Sequence, residues 1–308
     1  MASVTNPVTI KDFQMRFGDK TVIKDLSFEV RPGETFGFLG SNGSGKTTTL
    51  RALLGIYEPD HGELLVNGRR YSSKMGSYLG YLPEERGLYQ KETVLACMMY
   101  FGRLKGMTAG NVRKWSLAYL ERVGLLDKAN VRMDHLSGGE QQKIQLGVTI
   151  INDPKLLILD EPTKGFDPVT RRLLMDILEE LSKGGTTTVL VTHQMEEVER
   201  LCDRVVLLKD GVRRLYGTVS EVKDEFGSKH IGIDFEGTLP NQPAVYEIIR
   251  QTGQSANLSP ARGVTTKHVL ESLVGRRGFS ITRFEVQQES LDDIFVSIYS
   301  EGAVGSHV

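Results

Sequence analysis

Cysteine is nearly absent from this chain of 308 residues, which holds only Cys97 and Cys202. Two thiols so far apart build neither a disulfide framework nor a metal site, so both are expected as core filler in a reducing compartment. Long apolar runs are missing as well: none approaches the ~18 residues needed to cross a bilayer. The amino end, Met1 to Pro7, is too polar for a secretory signal. Any membrane role is therefore expected to come through a partner. Nor does one sign of charge dominate. Lys and Arg total 38 against 39 Asp and Glu, a formal net charge of −1, which argues against a global basic field for nucleic acid. The pairs Arg69-Arg70, Arg213-Arg214 and Arg276-Arg277 read as solvated surface.

What is present is concentrated first in Gly40-Ser41-Asn42-Gly43-Ser44-Gly45-Lys46-Thr47, the pattern GxxxxGK followed by Ser or Thr. An apolar segment, Thr35 to Leu39, precedes it as a buried strand, and Thr48 to Leu54 follows as the start of a helix. A loop between strand and helix points several backbone N–H groups at one anion, and the positive end of the helix dipole reinforces them. The glycines allow close approach, Lys46 can reach β- and γ-phosphates, and Thr47 can ligate Mg²⁺. The pattern predicts binding of a nucleoside triphosphate. An ordinary GTPase lacks support, because no NKxD guanine-reading motif is present.

The length suits one large domain plus a small one. Strand-like pieces run from Val8 to Val30 with a turn at Gly18 to Lys20, and again from Gly62 to Leu82. The stretch Thr93 to Val123 is helical in character, with Leu95, Met98, Met99 and Leu104 as its apolar stripe. Lys155 to Asp160 and Thr187 to Thr192 read as buried parallel strands around an amphipathic helix, Val169 to Lys183, closed by Gly184-Gly185. Arg204 to Lys209 adds another strand, turned by Asp210-Gly211. Strands alternating with helices predict a parallel core sheet covered on both faces. After about Thr218 the texture changes to a small α+β module. Its expected helices are Glu221–Gly227, Val245–Gln251, Lys267–Val274 and Leu291–Tyr299, and its expected strands Ile231–Phe235 and Ile281–Val286.

Asp160 ends an apolar strand and is followed by Glu161. A carboxylate at the carboxyl end of a central strand faces the phosphate loop and can hold Mg²⁺ through water, while Glu161 is placed to orient or deprotonate an attacking water. Leu136 to Gln142 opens another helix, with Ser137 as its N-cap and Gly138 and Gly139 exposing N–H groups. Loop, signature, strand-end acid and His193 occur in that order. From Val8 to Tyr216 the chain resembles the nucleotide-binding subunits of ATP-binding-cassette (ABC) transporters.

The resemblance implies an α/β P-loop NTPase with a RecA-like parallel core, an antiparallel β subdomain and a helical subdomain at about 88–150. The ATP-binding domain would span 8–218, and an accessory carboxyl-terminal α+β domain 219–300. Gly40 to Thr48 would form the Walker A loop and Leu156 to Asp160 the Walker B strand. Glu161 would be the catalytic base, His193 the switch histidine at the γ-phosphate, and Phe17 the aromatic stacked on adenine. Asp167 would lie in the D-loop, which communicates across a dimer. Ser137, Gly138 and Gly139 would cap the γ-phosphate bound by a second ATP-binding subunit, whether identical or paralogous, so that two ATPs are sandwiched head to tail.

Departures stand out at three positions. Glu84 occupies the place of the family's usual glutamine, a hard oxygen ligand for Mg²⁺ that adds negative charge and is expected to alter metal affinity or turnover. Lys164 and Phe166 stand where Ser and Leu are more usual. Tyr81 to Tyr89 resembles the sodium-exporter branch, near the daunorubicin-resistance type, and Phe284 to Phe295 resembles the accessory domain of that branch. The resemblance thus implies an exporter ATPase at the cytoplasmic face of a separate integral-membrane permease, with ATP and Mg²⁺ and no nucleic acid. The docking groove would be lined by Glu84–Tyr89 and Thr93–Phe101. Met98, Met99, Tyr100 and Phe101 supply either that surface or the helical subdomain's own core. The rival class, a soluble ABC ATPase on ribosomes or DNA, usually has two cassettes or a long coiled coil, and this sequence has neither.

Overall fold

The computed structural model describes residues 5–85, 87–227 and 229–300. The chain divides into two compact units between Val219 and Ser220. Residues 1–4 of the polar amino end, and Arg86 of the expected groove, lie outside the described residues.

In the first unit, β1 (Val8–Phe17) and β2 (Lys20–Val30) form an antiparallel hairpin, and β4 (His61–Val66) pairs with the other edge of β1. Four strands are buried along their whole length: β3 (Thr35–Leu39), β6 (Leu156–Asp160), β7 (Thr187–Val191) and β8 (Arg204–Lys209). Continuous burial of this kind belongs to a sheet covered on both faces. With β5 (Leu79–Leu82) and β9 (Val212–Thr218) they complete one nine-stranded sheet, ordered β4-β1-β2-β9-β8-β3-β7-β6-β5. The antiparallel piece is thus continuous with the parallel core. The β8–β9 hairpin leaves an open edge, and β2 joins it through the parallel pairing of Asp25 with Val212.

Register decides what meets at the carboxyl edge. Phe38 of β3 lies opposite Val191 of β7, and Val191 lies opposite Asp160 of β6. The residues that follow, from Leu39, Glu161 and Thr192, therefore emerge side by side. Helices α1 (Lys46–Leu53), α5 (Pro168–Lys183) and α6 (Met195–Leu201) pack around this sheet. Helix α5 starts at Pro168, with Asp167 as N-cap, and ends at Gly184, followed by Gly185 at φ 85°. It buries Leu174, Met175, Ile177 and Leu178 on one face.

The helical stretch expected from Thr93 to Val123 is two helices, α2 (Val94–Leu104) and α3 (Ala109–Arg122). Gly106 at φ 92° breaks it, and Thr93 and Thr108 cap the halves by accepting from the N–H of Ala96 and Asn111. Leu95 and Met98 are buried, but Leu104, expected in the same stripe, is exposed because α2 ends there. Met98 is core, whereas Tyr100 is exposed and packs with Tyr89 and Phe101. The core reading therefore holds for Met98, and Tyr100 lies on an exposed face of the same helix. Cys97 and Cys202 are buried and unpaired with each other, as core filler should be.

The second unit carries an antiparallel sheet ordered β11-β12-β10-β13, built from β10 (Lys229–Gly237), β11 (Tyr246–Thr252), β12 (Ser255–Pro260) and β13 (Phe279–Gln288). Helices α7 (Val219–Phe226), α8 (Thr266–Leu273) and α9 (Leu291–Ser300) complete its elements. Ile231, Ile233 and Phe235 alternate inward and meet Leu258, Tyr246, Val269 and Leu273. The helix expected at Val245–Gln251 is instead strand β11. Its β-branched Ile248 and Ile249 suit a strand, and Gly253 at φ 60° turns it into β12, where Thr252 pairs with Ser255.

Helix α4 (Gly138–Ile150) lies so close to α3 that a Cβ on Gly147 would stand 2.4 Å from the Tyr119 ring. That ring cannot retreat easily, because its hydroxyl donates to the Lys143 carbonyl at 2.7 Å. Gly147→Ala should therefore destabilise the first unit by roughly 1–3 kcal/mol, read as a lowered urea midpoint.

Candidate functional site

The segment between β3 and α1 is shaped by its glycines. Gly45 sits at φ 109°, and a Cβ there would stand 2.3 Å from Cδ1 of Ile23, so conformation and space both demand glycine. The loop closes over the amino end of α1, and Lys46 folds back across it, Nζ donating to the carbonyls of Gly40 at 2.7 Å and Ser41 at 3.0 Å. Burial pulls the Lys46 ammonium below its usual value, against the attraction of Glu161, Asp160 and Glu84. Ser44 Oγ is buried with no hydrogen-bond partner. An orphaned donor beside a ring of loop N–H groups suits an incoming anion.

A cavity of about 450 Å³ opens over this loop. Its walls are Val22, Asn42, Gly43, Gly45, Lys46, Thr47, Thr48, Glu84, Asp160, Glu161, Lys164 and His193. Thr47 Oγ1 donates to Asp160 Oδ2 at 3.1 Å. Asp160 is buried, and desolvation first, then the neighbouring Glu84 and Glu161, pushes its carboxyl up to about 6 despite the Thr47 hydroxyl and Lys46. Glu161 follows at φ 50°, a left-handed conformation unusual for a non-glycine residue, and its N–H donates to the Val191 carbonyl at 2.8 Å. There its Oε1 lies 2.8 Å from His193 Nδ1.

Glu84 and Lys164, two of the departures in sequence, meet: Lys164 Nζ donates to Glu84 Oε1 at 2.6 Å. The extra carboxylate therefore arrives with its own cation, although the pair is partly exposed and worth little to stability. Two amides that sequence reasoning passed over hold the surrounding loops. Gln142 donates to the Pro162 carbonyl at 2.8 Å, and Gln145 to the carbonyls of Pro83 at 3.3 Å and Glu85 at 3.1 Å. They stand three apart on α4, the helix that Ser137 opens. Only that spacing, one face of a helix, marked them in the sequence.

Other expected residues stand away from the cavity walls. Phe17 is half exposed and packs edge-on against Tyr57, ring centroids 5.3 Å apart. Ser137 and Glu140 form a capping box at the start of α4, Glu140 also pairing with Lys128. Asp167 Oδ1 caps α5, accepting from the N–H of Val169 and Thr170 at 3.0 Å each. Phe166 is buried and lies beside Gly139. None of Ser137, Gly138, Gly139 and Asp167 lines the cavity that holds Lys46.

The ABC transporter family model matches residues 23–164, and that of the carboxyl-terminal domain of DrrA1-3-like ATP-binding proteins matches 217–299. The uncharacterized ABC transporter ATP-binding protein YhaQ of Bacillus subtilis (strain 168) is 36% identical over 291 residues, 94% of this chain and 97% of that one. The chain belongs to the ATP-binding subunits of ABC transporters. The Nod factor export ATP-binding protein I of Rhizobium sp. (strain N33) is 36% identical over 292 residues, 92% of this chain and 93% of that one. A solved ATP-binding subunit of an ABC transporter superposes with a TM-score of 0.67 at 27% identity, covering 71% of this chain and 92% of that one. ABC ATP-binding subunits hydrolyse ATP, so the cavity over the loop belongs to an ATPase. No helix of this ABC subunit, among the described residues, is long and apolar enough to cross a membrane.

The buried acid gives a sign-specific test. The Asp160 carboxyl titrates near 6 in the fold, above the ~3.9 of an unfolded chain. Its ionised form is therefore disfavoured by folding, a cost absent below pH ~4 and fully present above pH ~6. Without nucleotide, Asp160→Asn should gain on the order of 3 kcal/mol at pH 7, and the gain should vanish near pH 4 in paired denaturant titrations.

Proposed function

We propose that this chain is the energy-coupling ATPase of an ABC-type exporter, docked at the cytoplasmic face of a separate membrane permease. The observation that carries the chemistry is the carboxylate of Glu161, 2.8 Å from the His193 ring at the rim of the phosphate loop. In this reading the loop N–H groups from Gly43 to Thr48 and the Ser44 hydroxyl receive phosphate oxygens. Lys46 exchanges the Gly40 and Ser41 carbonyls for the β- and γ-phosphates. Thr47 and Asp160 offer hard oxygens to Mg²⁺, and Glu84 adds a third once it leaves Lys164. Among the described residues no cluster of three or more metal-ligating side chains is assembled, which fits an ion that keeps waters and substrate phosphates in its shell. When bound, Mg²⁺ neutralises phosphate charge.

Glu161 accepts the proton of the attacking water, and His193, held by Glu161 through Nδ1, presents Nε2 to the γ-phosphate. Phe17 stacks on adenine. Ser137, Gly138 and Gly139, with Asp167, complete the site of a second ATP-binding subunit, so ATP closes a head-to-tail dimer and hydrolysis reopens it. The absence of those residues from their own chain's cavity wall supports this. We assign residues 8–218 to the ATP-binding domain and 219–300 to the accessory domain. The likeness to a Nod factor export ATP-binding protein over 92% of this chain supports export as the direction of transport.

Glu161→Gln should bind ATP with unchanged affinity and lower turnover by about a thousandfold. Near-normal turnover would remove Glu161 from the role of base. Lys46→Ala should instead weaken nucleotide binding itself, read by equilibrium titration of a fluorescent ATP analogue. For docking, Tyr89→Asp, at an exposed ring of the Tyr89–Tyr100–Phe101 cluster, should release the subunit from native membranes with ATP affinity intact. Equal loss of both would count against the groove.

A further inference from the structure

Glu197 of α6 is 1% exposed, and burial raises its carboxyl above the ordinary range. A carboxylate so placed is costly unless each oxygen is used, and here both are. Oε1 accepts the hydroxyl of Thr163 and Oε2 that of Thr192, the latter at 3.1 Å. Arg171 of α5 stands behind them, its Nε 3.9 Å from Oε1, buried and making no hydrogen bond. The two threonines are neighbours of the reacting pair in sequence. Thr163 lies two residues after Glu161, and Thr192 immediately precedes His193. Thr192 Oγ1 also accepts the N–H of Gln194 at 3.0 Å, closing the turn around the histidine.

Glu161 needs such restraint. Its left-handed backbone, at φ 50°, persists only where the surroundings over-determine it. Its own bond to His193 cannot supply the restraint, because the His193 ring is half exposed and hangs from a loop end. An apolar side chain at 197 would fill the same space but tie neither loop.

We infer that Glu197 is a positioning residue, a buried clasp that joins the loops after β6 and β7 through Thr163 and Thr192 and so sets the Glu161–His193 pair. The inference rests on the proposed roles of Glu161 and His193. It predicts that loosening the clasp slows hydrolysis while leaving ATP binding in place, since no clasp residue lines the phosphate cavity.

The test is a kinetic double-mutant cycle on the full chain with Glu197→Leu, Thr163→Val and their combination, alongside Glu161→Gln. Turnover, affinity for a fluorescent ATP analogue and melting temperature are read for each. Each single variant should lose about tenfold to a hundredfold in kcat, with analogue affinity within about twofold of the parent. The combined variant should be no slower than Glu197→Leu alone, because one clasp can be opened only once. Should Glu197→Leu fail to fold, Thr163→Val alone decides by the same split between kcat and affinity. The clasp is overturned if the folded variants turn over at the parent rate, if affinity falls as far as kcat, or if the two losses multiply. Parent-like turnover of Glu161→Gln would overturn the reading of the site itself, and the clasp's purpose with it.

Discussion

Three adjacent parallel strands that stop at the same edge are the constraint on which the site depends. Because β3, β7 and β6 are neighbours with Phe38, Val191 and Asp160 in one row, the chain must leave the sheet at three points side by side. One exit becomes the phosphate loop, the next leads to His193, and the third to Glu161. Ligand groups collect outside the carboxyl ends of parallel strands for this reason in open α/β sheets generally. Distances of about 3 Å across 113 residues, as between Thr47 and Asp160, follow from strand order rather than from any local preference.

Negative charge is the second organising element. Glu84, Asp160 and Glu161 face a cavity whose cations are Lys46 and Lys164. One of these lysines is turned to its own loop carbonyls and the other to Glu84. Asp160 in particular is held above the usual carboxylate range, by burial first and by Glu84 and Glu161 second. A divalent cation arriving with the nucleotide phosphates would offset these carboxylates. The remaining phosphate-facing groups would come from the Ser137 end of α4 in another subunit.

Much of this was legible in sequence because it is local. Lys155 to Asp160 and Thr187 to Thr192 could be placed as strands from unbroken apolar runs, and Gly40 to Thr47 from a spacing that few other structures demand. The rest is not local. Val245 to Gln251 has apolar residues at spacings that satisfy a helix or a strand, and only its pairing with β12 decides. Gly106 breaks a helical stretch in which Gly102 and Gly110 do not, so glycine alone did not mark the stop. Glu84 and Lys164 each read as an oddity, and their union across 80 residues emerged only when the loop after β5 met the turn after β6. Gln142 and Gln145 carried no role in the sequence, because the carbonyls they hold belong to distant loops.

In the proposed function one chain holds half of each hydrolysis site. Light-scattering mass of the Glu161→Gln variant, with and without Mg-ATP, tests this arrangement most directly. The expected mass is about 34 kDa without nucleotide and twice that with it. Doubling should be lost when Ser137 is replaced by a bulky acidic residue at the composite interface. A mass that stays at one chain under saturating Mg-ATP would contradict the claim.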